Sequence, residues 1–382
     1  MASKLQDLLN RLCPNGVEYR RLGDCVRIRN GSDYKQLQPG DIPVFGSGGL
    51  MTYVDRALYD KVSVLIPRKG SIDKLYYVDK PFWTVDTLFY TEIDLMVLVP
   101  KYLFYVLQKE HLEQYNTAGG VPSLTQGVLN KVLIPVPPLE VQSEIVQILD
   151  NFAELTAELT AELEKRKKQY EHYRRALLCG VESSELRVES SAWPMVKLGE
   201  IGRVAMCKRI LKQETSTTGD IPFYKIGTFG KIADAYISKT KFEEYREKYS
   251  YPNKGDILIS AAGTIGRAIA YDGAPAYYQD SNIVWLEHDQ HKVLNRFLYY
   301  CYQLNPWHVS VGGTIPRLYN DNILKAEIPL PPLAEQRRIV SILDRFDRLC
   351  NDLTSGLPAE IAARKKQYAY YRDKLLELRV GS

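Results

Sequence analysis

The residues of this sequence best suited to chemistry are cations that stand beside glycines. The densest such cluster is Arg68, Lys69, Gly70, Ser71 and Lys74. Guanidinium and ammonium groups bind phosphate, and the arginine fork also matches the acceptor pair on a base edge. Glycine lets backbone N–H groups approach a ligand closely. The cluster therefore favours contact with a nucleic acid.

Further polar and cationic side chains follow this pattern in both halves of the chain. They are Asn116, Thr117 and Ser123 in the first half, and Lys208, Arg209, Lys212, Lys225, Thr228, Lys231, Arg267 and Arg317 in the second. A single cation on a loop is commonly a solvated surface charge, so both interpretations stay open for each residue. Arg317, in GGTIPRL, stands in register with Ser123, in GGVPSL. This paired occurrence adds weight to a DNA-binding role for Arg317 and Arg68.

The motifs of a self-sufficient enzyme are missing from the sequence. It contains no GxxxxGK[ST] phosphate loop, no GxGxxG after a predicted strand and no HExxH. LNPWH at 304–308 lacks the second proline of the adenine-amino methylation motif. The histidines lack the spacing of metal ligands, and the cysteines form no CxxC pair. We expect no catalytic residue, no metal and no cofactor in this chain.

The composition indicates a globular protein for which a polyanionic partner is permitted but not required. With 382 residues, 45% hydrophobic and 25% charged, the chain is long enough for two or three domains. The net charge of +4 permits nucleic-acid binding. The N-terminal stretch MASKLQDLLNRLC lacks the apolar core of a signal peptide, and no apolar run could span a bilayer. We expect a cytoplasmic protein.

The chain repeats itself after about half its length. The well-matched pairs are IPVPPLEVQSEIVQILDNF at 134–152 with IPLPPLAEQRRIVSILDRF at 328–346, and KKQYEHYRRALL at 167–178 with KKQYAYYRDKLL at 365–376. A weaker match joins RKGSIDKLYYV at 68–78 to AAGTIGRAIAY at 261–271. The period is too long for a solenoid and indicates a duplication in the order A–B–A′–B′, with divergent A units.

Each B unit is predicted to be a long helix. After Pro137-Pro138-Leu139, apolar residues recur at three-, four- and seven-residue steps among strong helix formers, which predicts a helix of about 40 residues. Gly356 and Pro358 are expected to bend or interrupt the second helix. A long helix with a narrow apolar stripe needs a second helix to pack against. The simplest candidate is the other B unit, in an antiparallel pair. The residues expected to pack in this pair are Leu155, Leu159, Leu163, Tyr170, Leu349, Leu353 and Tyr368.

The stretch AELTAELTAEL at 153–163 contains the unit TAEL twice in tandem. Leucine at every fourth position predicts a helix and argues against disorder. Four added residues lengthen a helix by about 6 Å and turn its end by about 40° beyond a full turn, so the apolar stripe survives the insertion. Either the repeat is a neutral product of replication slippage, or the number of repeats sets a distance.

The A units are predicted to be strand-rich. Short apolar runs, such as VSVLIP at 62–67 and DILIS at 256–260, lie between glycine-rich turns, and one helix is expected near 101–115 and one near 295–304. The predicted fold class is α+β, with two such modules in pseudo-two-fold repeat, separated by a pair of long antiparallel coiled-coil helices. The predicted domains are 1–138 (first module, with a short N-terminal helix), 139–180 (first helical spacer), 181–331 (second module) and 332–382 (second helical spacer).

The whole chain resembles the DNA specificity subunits of type I restriction-modification systems. The resemblance lies in the A–B–A′–B′ order, the blocks IPVPPLEVQSEIVQILD and IPLPPLAEQRRIVSILD, the endings RKKQYEHYRRALL and RKKQYAYYRDKLL, and the TAEL repeats. It implies that the A units, about 17–138 and 192–331, are target recognition domains that each read one half of a split, asymmetric site in double-stranded DNA. It further implies that the B helices form the antiparallel spacer, and that the number of repeats is associated with the unread gap.

The resemblance also implies partners. Two methyltransferase subunits would dock on the B helices, bind S-adenosylmethionine and methylate adenine, and restriction subunits would add translocation and cleavage. Two other functions compete with this one: a coiled-coil scaffold that binds only proteins, and a self-sufficient enzyme such as a fused methyltransferase. The missing motifs argue against the enzyme, and two divergent heads on matched helices argue against the scaffold. Salt-sensitive DNA binding would separate the specificity subunit from the scaffold.

Overall fold

The computed structural model describes residues 2–116, 119–179, 193–307 and 317–378. They form two compact units: unit 1 is Met1–Ala161 with Glu360–Ser382, and unit 2 is Glu162–Ala359. Each unit therefore combines one A module with the first part of the helix that follows it and with the last part of the other helical segment.

The first A module and its helix contain the following elements. They are α1 (Ala2–Leu12), β1 (Tyr19–Arg21), α2 (Leu22–Cys25), β2 (Val26–Asn30), β3 (Ile42–Gly46), β4 (Gly49–Val54), β5 (Ser63–Pro67), β6 (Tyr76–Val78), β7 (Trp83–Thr84), β8 (Leu88–Ile93), α3 (Pro100–Lys109), a 3-10 turn (Leu112–Tyr115), α4 (Gln126–Leu129), β9 (Leu133–Pro135) and α5 (Leu139–Cys179).

The second A module and its helices continue this order. They are β10 (Met195–Lys197), α6 (Leu198–Ile201), β11 (Gly202–Ala205), a 3-10 turn (Lys212–Glu214), β12 (Ile221–Tyr224), β13 (Tyr236–Ile237), α7 (Lys239–Lys248), β14 (Ile257–Ser260), β15 (Ala268–Ala270), β16 (Tyr277–Tyr278), β17 (Ile283–His288), α8 (Asn295–Tyr302), α9 (Asn320–Lys325), β18 (Glu327–Pro329), α10 (Leu333–Asn351) and α11 (Leu357–Leu376).

The two modules share one sheet topology. The first has strand orders β2-β8-β5-β6, β4-β3-β7 and β1-β9, and the second has β11-β17-β14-β15, β13-β12-β16 and β10-β18. β3 pairs with β7 in parallel, as β12 does with β16. The expected α+β duplication is thus confirmed. The second module departs from the first by α7, which lies between β13 and β14.

A buried glutamine fixes the start of α5 on the first module. Gln142, from the PPLEVQ segment, accepts a hydrogen bond from Val99 N through Oε1 at 2.8 Å. Its Nε2 donates to the carbonyls of Val97 at 2.8 Å and Pro137 at 2.7 Å. The side chain thereby satisfies backbone groups from both the module and the helix start, which explains why a fully buried amide is tolerated here.

The same clamp recurs in unit 2, at the start of α10. Gln336 is fully buried, and its Oε1 accepts from Leu294 N at 2.9 Å. Its Nε2 donates to Lys292 O at 3.0 Å and to Pro331 O at 2.9 Å. The repeated blocks of the sequence therefore encode a repeated attachment of helix to module.

Replacing Gln336 by Ala should destabilise unit 2. The change leaves a buried N–H and two carbonyls without their partner, which should lower the free energy of unfolding by about 1–3 kcal/mol. Urea unfolding of the full chain measures this loss. Gln290→Ala, at an exposed turn position, is the matched control and should leave the midpoint unchanged. Equal midpoints for the two variants would contradict the clamp.

A carboxylate near the start of each spacer helix provides a second attachment. In unit 1, Asp150 on α5 accepts from Lys101 Nζ at 2.7 Å and from the Tyr105 hydroxyl. Burial and the neighbouring Asp150 raise the pKa of Tyr105 well above its usual range, so the phenol keeps its proton as donor. The equivalent residues in unit 2 are Asp344, Arg296 and Tyr300.

The first helical segment is continuous and the second is interrupted, as the sequence predicts. α5 runs for 41 residues and includes the TAEL repeats. Between α10 and α11, the carboxylate of Asp352 accepts hydrogen bonds from Thr354 and Ser355, which hold its pKa well below the usual range. A Cβ on Gly356 would lie 2.5 Å from the carbonyl oxygen of Arg348. Only glycine fits this close turn.

Stacked aromatic rings join the helices within each unit. In unit 1, Phe152 of α5 stacks on Tyr371 near the end of α11, with centroids 5.3 Å apart. In unit 2, Tyr170, farther along α5, stacks on Phe346 of α10 at 6.2 Å. Because later residues of α5 pair with earlier residues of the second segment, the helices pair in antiparallel order, as expected.

The seven residues expected to pack between the helices have different environments. Leu163 and Tyr170 are buried, and Leu159 and Tyr368 are half-buried. Leu353 is 80% exposed, which corrects the expectation for this residue: α10 ends at Asn351, so Leu353 lies in the turn. Leu155 and Leu349 are also exposed, which corrects the expectation that they pack between the helices.

Candidate nucleic-acid interface

In the first module, the cationic loop after β5 meets the segment before α4. Lys69 and Ser123 form an isolated antiparallel bridge, and Leu124 N donates to Arg68 O at 2.9 Å. Gly70 has φ +83°, a left-handed conformation that favours glycine. The fold thus brings the two predicted clusters of this module together on one surface.

The remaining predicted residues of the first module have distinct places. Asn116 Oδ1 accepts from Ser123 N at 2.9 Å, so this amide holds the loop at the bridge. Lys74 is exposed on the same loop, and Arg68 is half-buried. Thr117 lies outside the described residues. Two exposed lysines, Lys69 and Lys74, therefore lie on a loop that hydrogen bonds hold against the segment before α4.

The second module has the same loop frame with other side chains. Ala262 and Arg317 form the equivalent bridge, and Leu318 N donates to Ala261 O at 2.8 Å. Gly263, in the position of the first module's positive-φ glycine, has φ +65°. The expected register of Arg317 with the serine of the first module is therefore present in the structure. In the first module the cation of the bridge is Lys69, on the loop after β5. In the second module it is Arg317, on the segment before α9.

A cavity of about 700 Å³ opens beside this bridge in the second module. We call it the module-2 cleft; its polar lining is Arg209, Lys212, Lys225, Arg317, Asp234, Asp280, Thr215, Ser216, Thr217, Gln279, Ser281 and Asn282. Four predicted site residues thus converge on one cleft. Its mixture of donors and acceptors resembles what is needed to read base edges as well as to hold phosphates.

Three of the cations that line the module-2 cleft are anchored. Arg209 Nε donates to Asp280 Oδ2 at 2.9 Å, and Lys225 Nζ lies 2.8 Å from Asp234 Oδ1. Arg317 donates through Nη2 to a backbone carbonyl, that of residue 281, at 2.9 Å. Four cations and two carboxylates give the lining a modest positive charge, which suits a polyanion without strong non-specific binding.

Four other predicted residues lie around the cleft and do not line it. Lys208 Nζ sits 5.1 Å from the centre of the Tyr249 ring, a cation–π contact. The Thr228 hydroxyl accepts from the backbone N of residue 225 at 3.1 Å and closes a turn. Arg267 donates through Nη1 to a backbone carbonyl of the same connection at 2.9 Å, and Lys231 is exposed. Thr228 and Arg267 therefore build the loop.

The segment that carries Arg209 is fixed on both sides. Cys207 and Ile210 are buried in the module core, and burial raises the pKa of the Cys207 thiol to about 12, which keeps it neutral. Farther on, Glu214 accepts from the backbone N–H of Leu211, the main cause of its lowered pKa. The turn at 212–214 is therefore held by a hydrogen bond that favours the charged form of its carboxylate.

Sequence reasoning missed the turn after β16. It contributes Gln279, Asp280 and Asn282 to the module-2 cleft, and Ser281 has φ +59°. The turn after β7 of the first module closes with a hydrogen bond from Leu88 N to the carbonyl of residue 85, one residue shorter. That difference is visible only when the strand registers of both modules are compared.

Other kinds of site are not seen in the part of the chain that the structure describes. No group of three or more histidine, cysteine, aspartate or glutamate side chains could hold a metal ion there. Within those residues no helix combines the length and apolar character needed to cross a membrane. The module-2 cleft and the first module's loop are the features that match the predicted residues.

Comparisons with known proteins identify what this chain is similar to. The model of the type I restriction modification DNA specificity domain matches residues 14–166 and 190–363. A putative type I restriction enzyme specificity subunit of Haemophilus influenzae is 46% identical over 377 residues, covering 94% of this chain and 95% of that one. A type I restriction enzyme specificity subunit of Escherichia coli is 33% identical over 301 residues, covering 72% and 70%.

Solved structures show the same fold. The crystal structure of the S subunit of a type I restriction-modification system from M. genitalium matches with a TM-score of 0.59 at 18% identity, over 94% of this chain and 96% of that one. A chain from a study of complex assembly and conformational transition of the type I restriction-modification system matches with a TM-score of 0.58 at 17% identity, over 95% and 98%.

Proposed function

Because this chain belongs to the type I restriction-modification DNA specificity family, we propose that its two modules each read one half of a bipartite, asymmetric site in double-stranded DNA. As a member of that family the chain is the non-catalytic DNA specificity subunit of a type I restriction-modification system. The first module would read its half-site with the surface around Lys69 and Ser123, and the second with the module-2 cleft.

The observation that carries this proposal is one loop frame with two different sets of side chains. Lys69 faces Ser123 across the bridge of the first module, whereas Ala262 faces Arg317 in the second. A shared frame places both bridges in the same way against a duplex, and different donors prefer different bases. The two half-sites should therefore differ in sequence, which makes the whole site asymmetric.

The helices would serve the partners and the spacing. We expect two methyltransferase subunits to dock on them, to bind S-adenosylmethionine and to methylate adenine within the site, with restriction subunits joining for cleavage. The TAEL repeats would set the length of the unread gap, since they lie in α5 where it passes from unit 1 into unit 2. The proposed gap follows from the proposed half-sites and is tested with them.

Salt-dependent DNA binding tests the proposal against a scaffold that binds only proteins. Binding by the chain assembled with its methyltransferase subunits should weaken linearly, on logarithmic scales, as salt rises. Replacing Arg68 and Lys69 by Ala should reduce this slope by about 1–2. The control replaces Lys239 and Lys248 by Ala, which removes the same charge from α7, where each lysine faces a glutamate one turn away. A stable complex that binds no DNA at low salt would favour the scaffold.

A further inference from the structure

We propose that Arg209 reads a guanine in one half-site, and that Asp280 is the positioning residue that orients its guanidinium. The inference rests on the proposed function, because it takes the module-2 cleft as a surface that reads DNA. It goes further by naming the base, the atoms that contact it and the residue that holds the reader in place.

The geometry of the Arg209–Asp280 pair leaves the arginine fork available. Asp280 Oδ2 accepts from Nε of Arg209 at 2.9 Å, and the side chains are 15% and 68% exposed respectively. With Nε engaged, Nη1 and Nη2 are the donors that remain, and neither has a hydrogen-bond partner among the described residues. Two parallel donors match the O6 and N7 acceptors of guanine in the major groove, the commonest specific contact between proteins and DNA.

Other cations of the second module are less suited to this role. Arg317 and Arg267 each donate one terminal nitrogen to a backbone carbonyl. Arg203 pairs with Glu287 through both Nε and Nη2, the latter at 2.6 Å. Lys212 and Lys225, which also line the cleft, lack a planar fork and bind phosphate as point charges. Arg209 thus combines exposure with a free fork.

Both members of the pair are held in place before DNA binds. Arg209 stands between the buried side chains of Cys207 and Ile210. Asp280 lies in the turn that Arg317 fixes through the carbonyl of the next residue. A reader that is already ordered loses little conformational freedom on binding, which strengthens recognition.

Charge supports the same assignment. An unpaired carboxylate in a cleft that faces DNA would repel phosphate, and the Arg209 guanidinium neutralises Asp280 locally. Because Asp280 accepts from Nε, the inner nitrogen, both outer nitrogens of Arg209 stay available as donors to a base edge. Asp280 can therefore orient the Arg209 guanidinium without repelling DNA, because Arg209 neutralises its charge.

The test is a methylation map of the site for four variants of the chain, each co-expressed with its methyltransferase subunits. The variants are Arg209→Ala, Arg209→Lys, Asp280→Asn and, as the matched control, Arg203→Ala. The two Arg209 variants should each lower the preference for guanine at one position of one half-site by about tenfold to a hundredfold. Asp280→Asn should relax the same position by a smaller factor, and Arg203→Ala should leave the motif intact.

Each contrary outcome contradicts one part of the proposal. Full guanine preference in Arg209→Lys would mean that the residue binds phosphate. Relaxation of a different position by Asp280→Asn would mean that Asp280 contacts a base itself. An unchanged motif in Arg209→Ala overturns the assignment alone, whereas the absence of any split motif with the unmodified chain overturns the proposed function. Unchanged thermal midpoints of the variants, measured on the purified chains, exclude misfolding as the cause.

Discussion

A chain that lacks Thr156–Leu159 should methylate a site whose unread gap is one or two base pairs shorter, with the bases of both half-sites unchanged. Removing four residues shortens a helix by about 6 Å, against about 3.4 Å per base pair along DNA. The deletion also turns the helix end by about 40° more than a full turn, so the apolar stripe continues in nearly the same direction. A methylation map of the deletion variant measures the gap directly.

The deleted residues carry few of the side-chain contacts that hold α5. Leu155 is exposed and Leu159 half-buried, and the hydroxyls of Thr156 and Thr160 donate to carbonyls one helical turn earlier. The stacked pairs that attach α5 within each unit, those of Phe152 and Tyr170, lie outside the deleted residues.

A control variant separates length from composition. Replacing both Thr156 and Thr160 by Ala keeps the length of α5 and removes only the two side-chain hydrogen bonds. This variant should methylate the original site with its original gap. The proposal that the TAEL repeats set the gap is contradicted if the deletion changes the half-site bases, or if it leaves the gap as it was. The second result would support replication slippage without function.

Arg317→Ala should weaken methylation by about tenfold to a hundredfold and relax sequence preference in one half-site only. Arg317 lies at the bridge with Ala262, and its Nη2 holds the turn that carries Asp280. Loss of the guanidinium removes a cation from the module-2 cleft and releases a turn in which Ser281 has a left-handed backbone. A methylation map scored separately for each half-site measures the effect.

The other half-site is the internal control for this variant, because the first module keeps its own cations. Arg317→Lys retains the charge and loses the planar fork, so it should recover part of the affinity and little of the preference. Equal relaxation of both half-sites would contradict separate reading by the two modules. No effect at all would mean that Arg317 neither contacts DNA nor is needed to hold the turn at 279–282.

The helical parts of the fold could be predicted because their signals are local. Apolar residues at helical spacing, strong helix formers and a double proline at the start predict α5, and Gly356 with Pro358 predicts the interruption of the second segment. The repeated blocks also indicate the duplication that the sheet topology shows. Gln142 and Gln336 occupy matching positions in the two blocks. Their role could not be predicted from the sequence, because it depends on the backbone carbonyls to which they donate.

The candidate site was only partly predictable, because it depends on contacts between distant residues. Arg209 and Asp280 are 71 positions apart in sequence, and nothing near Asp280 distinguishes it from a surface carboxylate. In the sequence, Thr228 and Arg267 stand out only as a hydroxyl and a cation on loops. In the structure, their side chains form hydrogen bonds to backbone atoms and close the loop. Leu353 was wrongly predicted to pack between the helices. The helical spacing of apolar residues continues in the sequence beyond the point where α10 ends, so the spacing alone does not reveal the turn.

The most direct test of separate reading by two modules is a methylation map of the unmodified chain. The chain is co-expressed with adenine methyltransferase subunits of its own class in a host that lacks such systems, and modified adenines are located by sequencing. We predict two short, different blocks of fixed sequence separated by an unread gap of constant length, present only when this chain is expressed. A single continuous or palindromic motif, or no methylation despite a stable complex, would contradict the account.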